Sequence, residues 1–465
     1  MEVFLAYLFL ITILVLSFRY SKYFYFILLC ILPGWGFLLS VLWNNFDLPA
    51  ETIRLLRGTK DFIIIGLFLS CLPNLKRKRI IEALSGSFGI VVGIFFLLIL
   101  VAYFWGTQQA AADISSSSFD KTTSLRSYLL PFVLLFFGMA NGNNQPFLHQ
   151  VIKILLYIGI LSGICAIFEI FILPRDFLAQ IGYTNYLTEF SNLQDYQTTV
   201  YGLPFTYFTD NGLLRRAGSF FSSGPLDMSN AMLVIVPLAM FSYINKLFNA
   251  RFCLVALVLS VSSLLLSISR LAILVLLAQM ILLFILTQKG ETSFLHRNKK
   301  IIVTGLFLLA GIGITFFISE GIRMLSFKGN LTEYIIASLN LSDPSSISHL
   351  YAFVLAFNII SSHPLGIGLG NNVVESFFLN VWIEAGVFAL LSAGTIIYLI
   401  VKKSYWIYRN STNILNRVIA ITTLFSWVSL SIEISKSVVG WATILAFCSA
   451  FFFAGIIMAN KLKEE

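Results

Sequence analysis

The chain has 465 residues, of which 58% are hydrophobic and 11% are charged, and its mean hydropathy is +0.88. A water-soluble protein of this length cannot bury that much apolar surface, so the composition excludes this class and predicts an all-α, polytopic integral membrane protein. The formal net charge of +9 does not indicate a nucleic-acid partner, because the excess lies in short loops beside apolar runs, where basic residues meet anionic lipid headgroups.

Apolar stretches follow one another along the whole chain, with short polar segments between them. A helix needs roughly 20 apolar residues to cross a bilayer, so the pattern predicts one transmembrane domain, 1–465, with about 12–14 helices. The first stretch lacks the basic region and the cleavage site of a signal peptide and is expected to be a mature helix. The stretches 62–73 and 128–140 are short and are expected to extend into flanking polar residues or to tilt. The predicted spans are 3–18, 23–43, 62–73, 87–105, 128–140, 150–173, 229–245, 252–269, 271–287, 301–318, 377–401, 417–431 and 438–458.

Lysine and arginine gather in alternate loops, and this bias predicts the cytoplasmic side. The opposite loops, 107–127, 174–228 and 319–376, are longer and are expected to face outward. The basic set contains Arg19, Lys22, Lys76, Arg77, Lys78, Arg79, Lys246, Arg251, Arg297, Lys299, Lys300, Lys402, Lys403, Arg409, Lys461 and Lys463.

The five cysteines lie in or beside apolar runs, with no CxxC pair and no histidine cluster at metal-ligand spacing. They are interpreted as small core residues, and the predicted outer loops contain none of them. The sequence therefore predicts neither a disulfide framework nor a metal or other cofactor.

An arginine pair, Arg215 and Arg216, precedes the span that begins near residue 229, and Gly218 follows it. Arg270 comes directly after Ser269, where two apolar runs meet with almost no loop between them. Because the two intervening spans are expected to form an antiparallel hairpin, the three arginines should converge at the outer side. Converging guanidinium groups suit a diphosphate, since each presents a planar fork of donors that stays charged.

Other readings of these arginines remain open. The loop pair would also be satisfied by salt bridges to Asp210 or Asp227, and Arg270 could simply snorkel to the outer interface. Arg126, near the outer end of the span 128–140, is a further candidate for a phosphate contact.

A third polar group closes the last long outer loop. Between His349 and Pro364, apolar residues repeat at i, i+3, i+4 and i+7, which predicts a short helix that lies at the interface or re-enters the membrane. Pro364 should end this helix, and glycines including Gly366 and Gly368 should let the backbone turn tightly toward a ligand. Glu375 comes next, and it is either a functional carboxylate or a residue stabilised by the dipole of the following helix.

Two carboxylates, Glu169 and Glu384, lie inside predicted spans, where an unpaired charge is costly. Each therefore requires a partner or a proton. Glu384 is interpreted as a structural hydrogen-bonding group of the helix bundle.

The order of these motifs resembles the O-antigen ligase and polymerase superfamily over roughly residues 210–400. The matching features are Arg216 with glycine and proline before a span, Ser269-Arg270 at the outer end of the next hairpin, and Pro-Leu-Gly-Ile-Gly-Leu-Gly before a span that carries Glu384 and Gly386. The resemblance implies a metal-independent membrane glycosyltransferase of the GT-C type. It also implies action on undecaprenyl-diphosphate-linked oligosaccharides at the outer face of the bacterial inner (cytoplasmic) membrane.

Within that superfamily, ligases that transfer glycan to lipid A core usually carry a histidine after the glycine-rich turn. Here the stretch reads Val373-Val374-Glu375-Ser376, which looks more like polymerases of O-antigen or capsule repeat units. In that reading Arg216 and Arg270, supported by Arg215, stabilise the departing diphosphate, and Glu375 or His349 accepts the proton of the acceptor hydroxyl.

Two other functions stay open beside the polymerase. One is a ligase that moves glycan to lipid A core or another acceptor, and the other is a lipid-glycan flippase or transporter. A chain-length regulator or a flippase is a further expected partner of the polymerase, in addition to membrane lipids.

The outer loop 174–228 is rich in tyrosine, and the sequence leaves two interpretations of these rings open. They either stack on sugar faces or anchor the loop at the membrane interface, where tyrosine is enriched. The tyrosines concerned are Tyr183, Tyr186, Tyr196, Tyr201 and Tyr207.

Overall fold

The computed structural model of the chain describes residues 2–46, 48–73, 78–105, 118–191, 203, 207, 215–222, 224–288, 344–370, 376–435 and 444–460. Its described part is all-helical. The helices are α1 Glu2–Arg19, α2 Ser21–Phe46, α3 Ala50–Arg57, α4 Thr59–Cys71, α5 Lys78–Ser85, α6 Ser87–Trp105, α7 Ser118–Asn141, α8 Gln145–Phe171, α9 Phe177–Gln180, α10 Tyr183–Ser191, α11 Pro225–Ile244, α12 Ala250–Leu266, α13 Arg270–Gln288, α14 Pro344–Ser362, α15 Phe377–Ala385, α16 Val387–Asn410, α17 Ile414–Ile434 and α18 Leu445–Met458.

Eight helices of the described part are long and apolar enough to cross a membrane: α1, α2, α6, α7, α8, α11, α16 and α17. Four shorter apolar segments lie in α12, α13, α14 and α18. The chain is therefore a multi-pass membrane protein, as its composition predicts. The predicted span 301–318 lies outside the described residues.

Two helices form the centre of the bundle. All residues of α18 are buried, and α11 is buried along nearly its whole length, whereas α1, α2, α6 and α16 expose many large apolar side chains. A helix that is apolar and covered on all sides belongs in the interior of a bundle, and one with an exposed apolar face suits contact with lipid. Helix α18 packs against α7, α11 and α17, and α11 packs against α8, α12 and α17.

Small residues permit the closest helix crossings. A Cβ atom at Gly138 of α7 would collide with the carbonyl of Phe452 in α18, and one at Gly455 would collide with the carbonyl of Leu135. Lipid tails are as apolar as the helices, so association in a membrane depends on this kind of close van der Waals packing.

The end of the bundle that contains the connection between α12 and α13 is called the outer end here, following the orientation predicted from the basic loops. The same end contains the start of α4, the start of α7 and the end of α8. The predicted extension of the span 128–140 is confirmed, because α7 begins ten residues earlier, at Ser118.

The prediction of one continuous span over 377–401 is wrong. The chain breaks at Gly386, which separates the short helix α15 from α16. Gly386 has a φ of +86°, a conformation that only glycine adopts without strain, and a Cβ atom there would collide with the backbone of Leu365. Apolar composition is continuous across the break, so hydropathy could not reveal it.

The helix predicted between His349 and Pro364 is present as α14, and it ends at Ser362, before Pro364, as expected. It is longer than predicted, because it begins at Pro344 and has 19 residues. Three residues of its predicted apolar stripe, Phe353, Val354 and Phe357, are exposed. The face that packs on the protein instead carries Ala356 and Ile360. An exposed apolar stripe at this place suits a lipid-facing helix.

A second, smaller core lies under the loop between α8 and α11. It contains Tyr183, Tyr186 and Tyr207, which are 1%, 5% and 2% exposed, together with residues of α2 and α3. Burial of these three rings excludes both sugar stacking and anchoring at the interface for them. Tyr196 and Tyr201 lie outside the described residues.

Candidate functional site

A buried ion pair joins the outer end of α8 to the segment before α11. Nη2 of Arg215 lies 3.0 Å from Oε1 of Glu169, and both side chains are 5% exposed. Nη1 of Arg215 also donates to the carbonyl oxygen of Pro174 at 2.7 Å. Glu169 therefore has the partner that a carboxylate inside a span requires. Arg215 pairs with Glu169 and not with Asp227, one of the two loop acids considered for it; the other, Asp210, lies outside the described residues.

The second carboxylate oxygen of Glu169 holds the backbone of the same segment. It accepts hydrogen bonds from the N–H groups of Gly218 at 2.9 Å and Ser219 at 2.6 Å. A Cβ atom at Gly218 would lie 3.0 Å from the ring of Tyr207, so this position favours glycine. Glu169 thus anchors the arginine segment through one salt bridge and two backbone donors.

Arg216 faces the connection between α12 and α13. Its Nε donates to the carbonyl oxygen of Ser267 at 3.0 Å, and the N–H of Ala217 donates to the carbonyl oxygen of Leu266 at 2.9 Å. The N–H of Arg216 itself donates to the carbonyl oxygen of Tyr207 at 2.8 Å. These bonds fix a half-buried guanidinium at the end of α12.

Helix α13 begins at the same place. Arg270 is its first residue, and the Oγ of buried Ser269 accepts a weak hydrogen bond from the N–H of Ala272 at 3.5 Å, in the manner of an N-cap. Arg216 and Ala217 therefore bond to Ser267 and Leu266, which precede Arg270 by three and four residues. This connection between α12 and α13, with the segment of Arg216, is called the junction. The side chain of Arg270 lies outside the described residues.

The backbone around this junction is unusual. Ser219 and Ile268 have φ values of +53° and +49°, and Lys246 is the remaining non-glycine residue of the described part with positive φ. Such conformations cost on the order of 1–3 kcal/mol each and are enriched at functional sites. Two of them lie on the two segments that hold the arginines.

The predicted glycine-rich turn packs along the break between α15 and α16. The N–H of Ile367 donates to the carbonyl oxygen of Ile383 at 2.7 Å, and that of Gly368 donates to the carbonyl oxygen of Glu384 at 3.0 Å. Gly366 and Gly368 have φ values of +93° and +98°, and a Cβ atom at Gly366 would lie 2.8 Å from the Glu384 carbonyl oxygen. Both glycines are therefore required for this close backbone pairing.

The side chain of Glu384 ties the turn to α7. It is 1% exposed and accepts hydrogen bonds from Tyr128 Oη at 2.6 Å, Ser124 Oγ at 3.3 Å and the N–H of Gly370 at 2.8 Å. This arrangement agrees with the structural role that the sequence indicates for Glu384. Spacing along the chain gave no signal for Ser124 or Tyr128, because they lie more than 250 residues away.

The side chains of the two candidate bases, Glu375 and His349, lie outside the described residues. Glu375 lies outside the described residues, which resume at Ser376, the N-cap of α15. His349 belongs to α14, and its side chain lies outside the described part. Their roles stay predictions.

Arg126 is engaged with α4. Its Nη2 lies 3.1 Å from Oδ1 of Asp61, with the two side chains 40% and 19% exposed. Lys60 interacts electrostatically with this pair and also with Asp227 in the first turn of α11. The ion pair of Arg126 and Asp61 thus joins the outer ends of α7 and α4.

No group of three or more histidine, cysteine, aspartate or glutamate side chains placed to hold a metal ion occurs among the residues that the structure describes. A scan against protein-family models, a search of the curated proteins and a search of the solved structures each found no match for this chain.

Proposed function

We propose that the protein is a membrane glycosyltransferase that polymerises polysaccharide repeat units at the outer face of a bacterial inner membrane. Its donor is an oligosaccharide linked to undecaprenyl diphosphate, and its acceptor is another lipid-linked repeat unit. The observation that carries the proposal is the junction where Arg216, bonded to the Ser267 carbonyl, lies beside the start of α13 at Arg270.

The junction suits a departing diphosphate. When the glycosidic bond to the lipid diphosphate breaks, negative charge builds up on the leaving phosphate, and fixed positive groups stabilise it. Two arginines and the N-terminus of α13, with its partial positive charge, supply such groups. Nε of Arg216 donates to the carbonyl oxygen of Ser267, which fixes its guanidinium group at the end of α12, close in the chain to Arg270.

Arg215 has a different part in this proposal. Its guanidinium is buried against Glu169 and Pro174, so it supports the site by fixing the segment rather than by touching the substrate. Gly218 and Ser269 contribute in the same way, through a backbone donor to Glu169 and through the start of α13.

The acceptor side of the reaction needs a base. The attacking sugar hydroxyl loses its proton as the new bond forms, and Glu375 or His349 would accept it. The glycine turn that precedes Glu375 is held by Glu384 through Gly370, which supports this placement of the acceptor. No metal or other cofactor is required by this chemistry, and the GT-C architecture with about 12–14 helices belongs to the same proposal.

The flippase alternative has one observation in its favour, the break at Gly386, since interrupted helices are typical of transporters. However, α16 after the break has 24 residues, about 36 Å of helix, and can cross the bilayer alone. The break therefore lies at one interface and not at mid-membrane, which favours a reaction at one face.

The test is the lipid-linked glycan profile of a strain that lacks the protein and carries the intact chain, Arg216→Ala, Arg270→Ala or the control Arg251→Ala. Arg251 is exposed at the opposite end of α12, so its removal matches the change in charge without touching the junction. Membrane levels of every variant are measured with a fluorescent tag.

We expect a ladder of chain lengths with the intact chain and the control, and single repeat units with the two junction variants. Accumulation of full-length lipid-linked chains that are not transferred would identify a ligase. Single units that stay inaccessible to an external glycosidase would identify a flippase. A normal ladder with both junction variants would refute the placement of the diphosphate.

A further inference from the structure

The segment that contains Arg216 is docked on helix α2 through Ser222. The N–H of Ser222 donates to the carbonyl oxygen of Pro33 at 2.7 Å, and its Oγ accepts a hydrogen bond from the N–H of Gly36 at 3.2 Å. The hydroxyl of Tyr183 donates to the carbonyl oxygen of Ser222. Both backbone groups and the side chain of Ser222 are therefore engaged, and two of these three bonds go to α2.

The part of α2 at this contact, residues 33–36, reads Pro-Gly-Trp-Gly and is unfavourable for a helix. Proline has no N–H to donate, and glycine lowers helix stability relative to alanine. The glycines permit a close approach: a Cβ atom at Gly36 would lie 2.8 Å from both Cβ and Oγ of Ser222, and one at Gly34 would lie 3.6 Å from the carbonyl oxygen of Phe220. Residues that weaken a helix thus lie where the arginine segment makes contact.

The contact with α2 holds one side of the strained turn at Ser219. On the other side, Glu169 accepts hydrogen bonds from the N–H groups of Gly218 and Ser219. A positive φ at a serine persists only while the surrounding contacts hold it. Release of Ser222 would therefore let the backbone relax at Ser219, three residues after Arg216, and change the direction of that arginine.

We propose that residues 33–36 of α2 and Ser222 position the arginine segment for the diphosphate, and that Ser222 is a positioning residue that does not touch the substrate. This inference rests on the proposed function, in which Arg216 contacts the diphosphate. It adds α2 to the site, although α2 lies far from residues 210–400, the part of the chain that resembles the ligase and polymerase superfamily.

The test moves a side chain from one side of this contact to the other. Gly36→Ala adds a Cβ atom that collides with Ser222, and no other described atom outside its own helix lies within 4 Å of that position. Ser222→Gly removes the two atoms concerned, so the double variant, Gly36→Ala with Ser222→Gly, should fit again. The control is Gly93→Ala, which adds a Cβ atom in open space on α6.

Two properties are measured on the full chain in nanodiscs of neutral phosphatidylcholine. Amide hydrogen exchange reports whether residues 216–219 keep their backbone hydrogen bonds. Titration with farnesyl diphosphate, a short prenyl diphosphate, reports binding at the junction, and Arg216→Gln is titrated in parallel.

In Gly36→Ala we expect faster exchange at 216–219 and binding weakened by about tenfold or more. The double variant should recover slow exchange and bind within about threefold of the intact chain. Gly93→Ala should behave like the intact chain. Recovery through a second substitution would show that the fit between α2 and Ser222, and not general loss of the fold, controls the site.

Unchanged exchange in Gly36→Ala, or no recovery in the double variant, would overturn the inference. Faster exchange in Gly36→Ala with unchanged binding, while Arg216→Gln loses binding, would also overturn it. If Arg216→Gln binds as tightly as the intact chain, the proposed function loses its diphosphate site, and the exchange data still decide whether α2 holds the segment. If Gly36→Ala does not insert into the membrane, the double variant is decisive, because its failure to insert would overturn the inference.

Discussion

Replacement of Glu169 by glutamine tests the buried anchor of the arginine segment. The substitution keeps the shape of the side chain but removes the charge that pairs with Arg215 at 3.0 Å. It also weakens the acceptor of the Gly218 and Ser219 N–H groups. Because both partners are 5% exposed, Arg215 would keep a buried charge with only neutral oxygen acceptors among the described residues.

Removing one partner of a buried pair costs about 3–5 kcal/mol, so Glu169→Gln should lower the free energy of unfolding by that amount. The pair Arg54–Glu189 gives a matched control, since it is 3.4 Å long but 61% and 45% exposed. Glu189→Gln should cost less than about 1 kcal/mol, because solvent screens an exposed pair.

The assay is titration with sodium dodecyl sulfate in mixed micelles, with unfolding followed by tryptophan fluorescence. A double variant, Glu169→Gln with Arg215→Gln, removes both charges and should recover about 2 kcal/mol or more relative to the sum of the single changes. Equal effects of Glu169→Gln and Glu189→Gln would refute the buried pair, and strict additivity in the double variant would refute its coupling.

Two further changes address the glycine turn and are measured by the same titration. Tyr128→Phe removes the hydroxyl donor that lies 2.6 Å from Glu384 and leaves a buried carboxylate oxygen without that hydrogen bond, so it should lower the free energy of unfolding by about 1–3 kcal/mol. The control Tyr157→Phe changes a residue that is 51% exposed and should be near neutral. Equal effects of the two changes would contradict the hydrogen bond. Gly366→Ala places a Cβ atom 2.8 Å from the Glu384 carbonyl oxygen at a φ of +93°, so it should lower the free energy of unfolding by more than about 1 kcal/mol. The control Gly394→Ala adds a Cβ atom in open space and should not destabilise the protein. An unchanged free energy of unfolding with Gly366→Ala would contradict the backbone pairing.

Composition determined the class of the protein, and the hydropathy along the chain predicted the position of most spans. A long apolar run has one stable form in hydrocarbon, a helix that satisfies its own backbone hydrogen bonds, so hydropathy places helices such as α6 and α8 within a few residues. The positions of Pro364 and the glycines likewise predicted where α14 ends and where the backbone turns tightly. These are local properties of the chain.

The break at Gly386 could not be predicted in this way. Glycine occurs often inside membrane helices, and Gly138 continues α7 without interruption. Gly386 interrupts its helix because the glycine turn lies against its backbone, and that contact depends on a segment about 20 residues earlier in the chain. The three buried tyrosines were misread for the same reason, since their core is completed by α2 and α3.

The sequence by itself determined that this chain is a membrane protein. It also showed that its carboxylates in apolar runs need partners and that arginines lie near two predicted span ends. Only the tertiary structure decided which groups meet. It paired Glu169 with Arg215, bonded Arg216 to Ser267 at the end of α12 and joined Glu384 to Tyr128. Hydropathy depends on each residue and its neighbours, whereas an ion pair or a hydrogen bond depends on distances across helices, which packing alone sets.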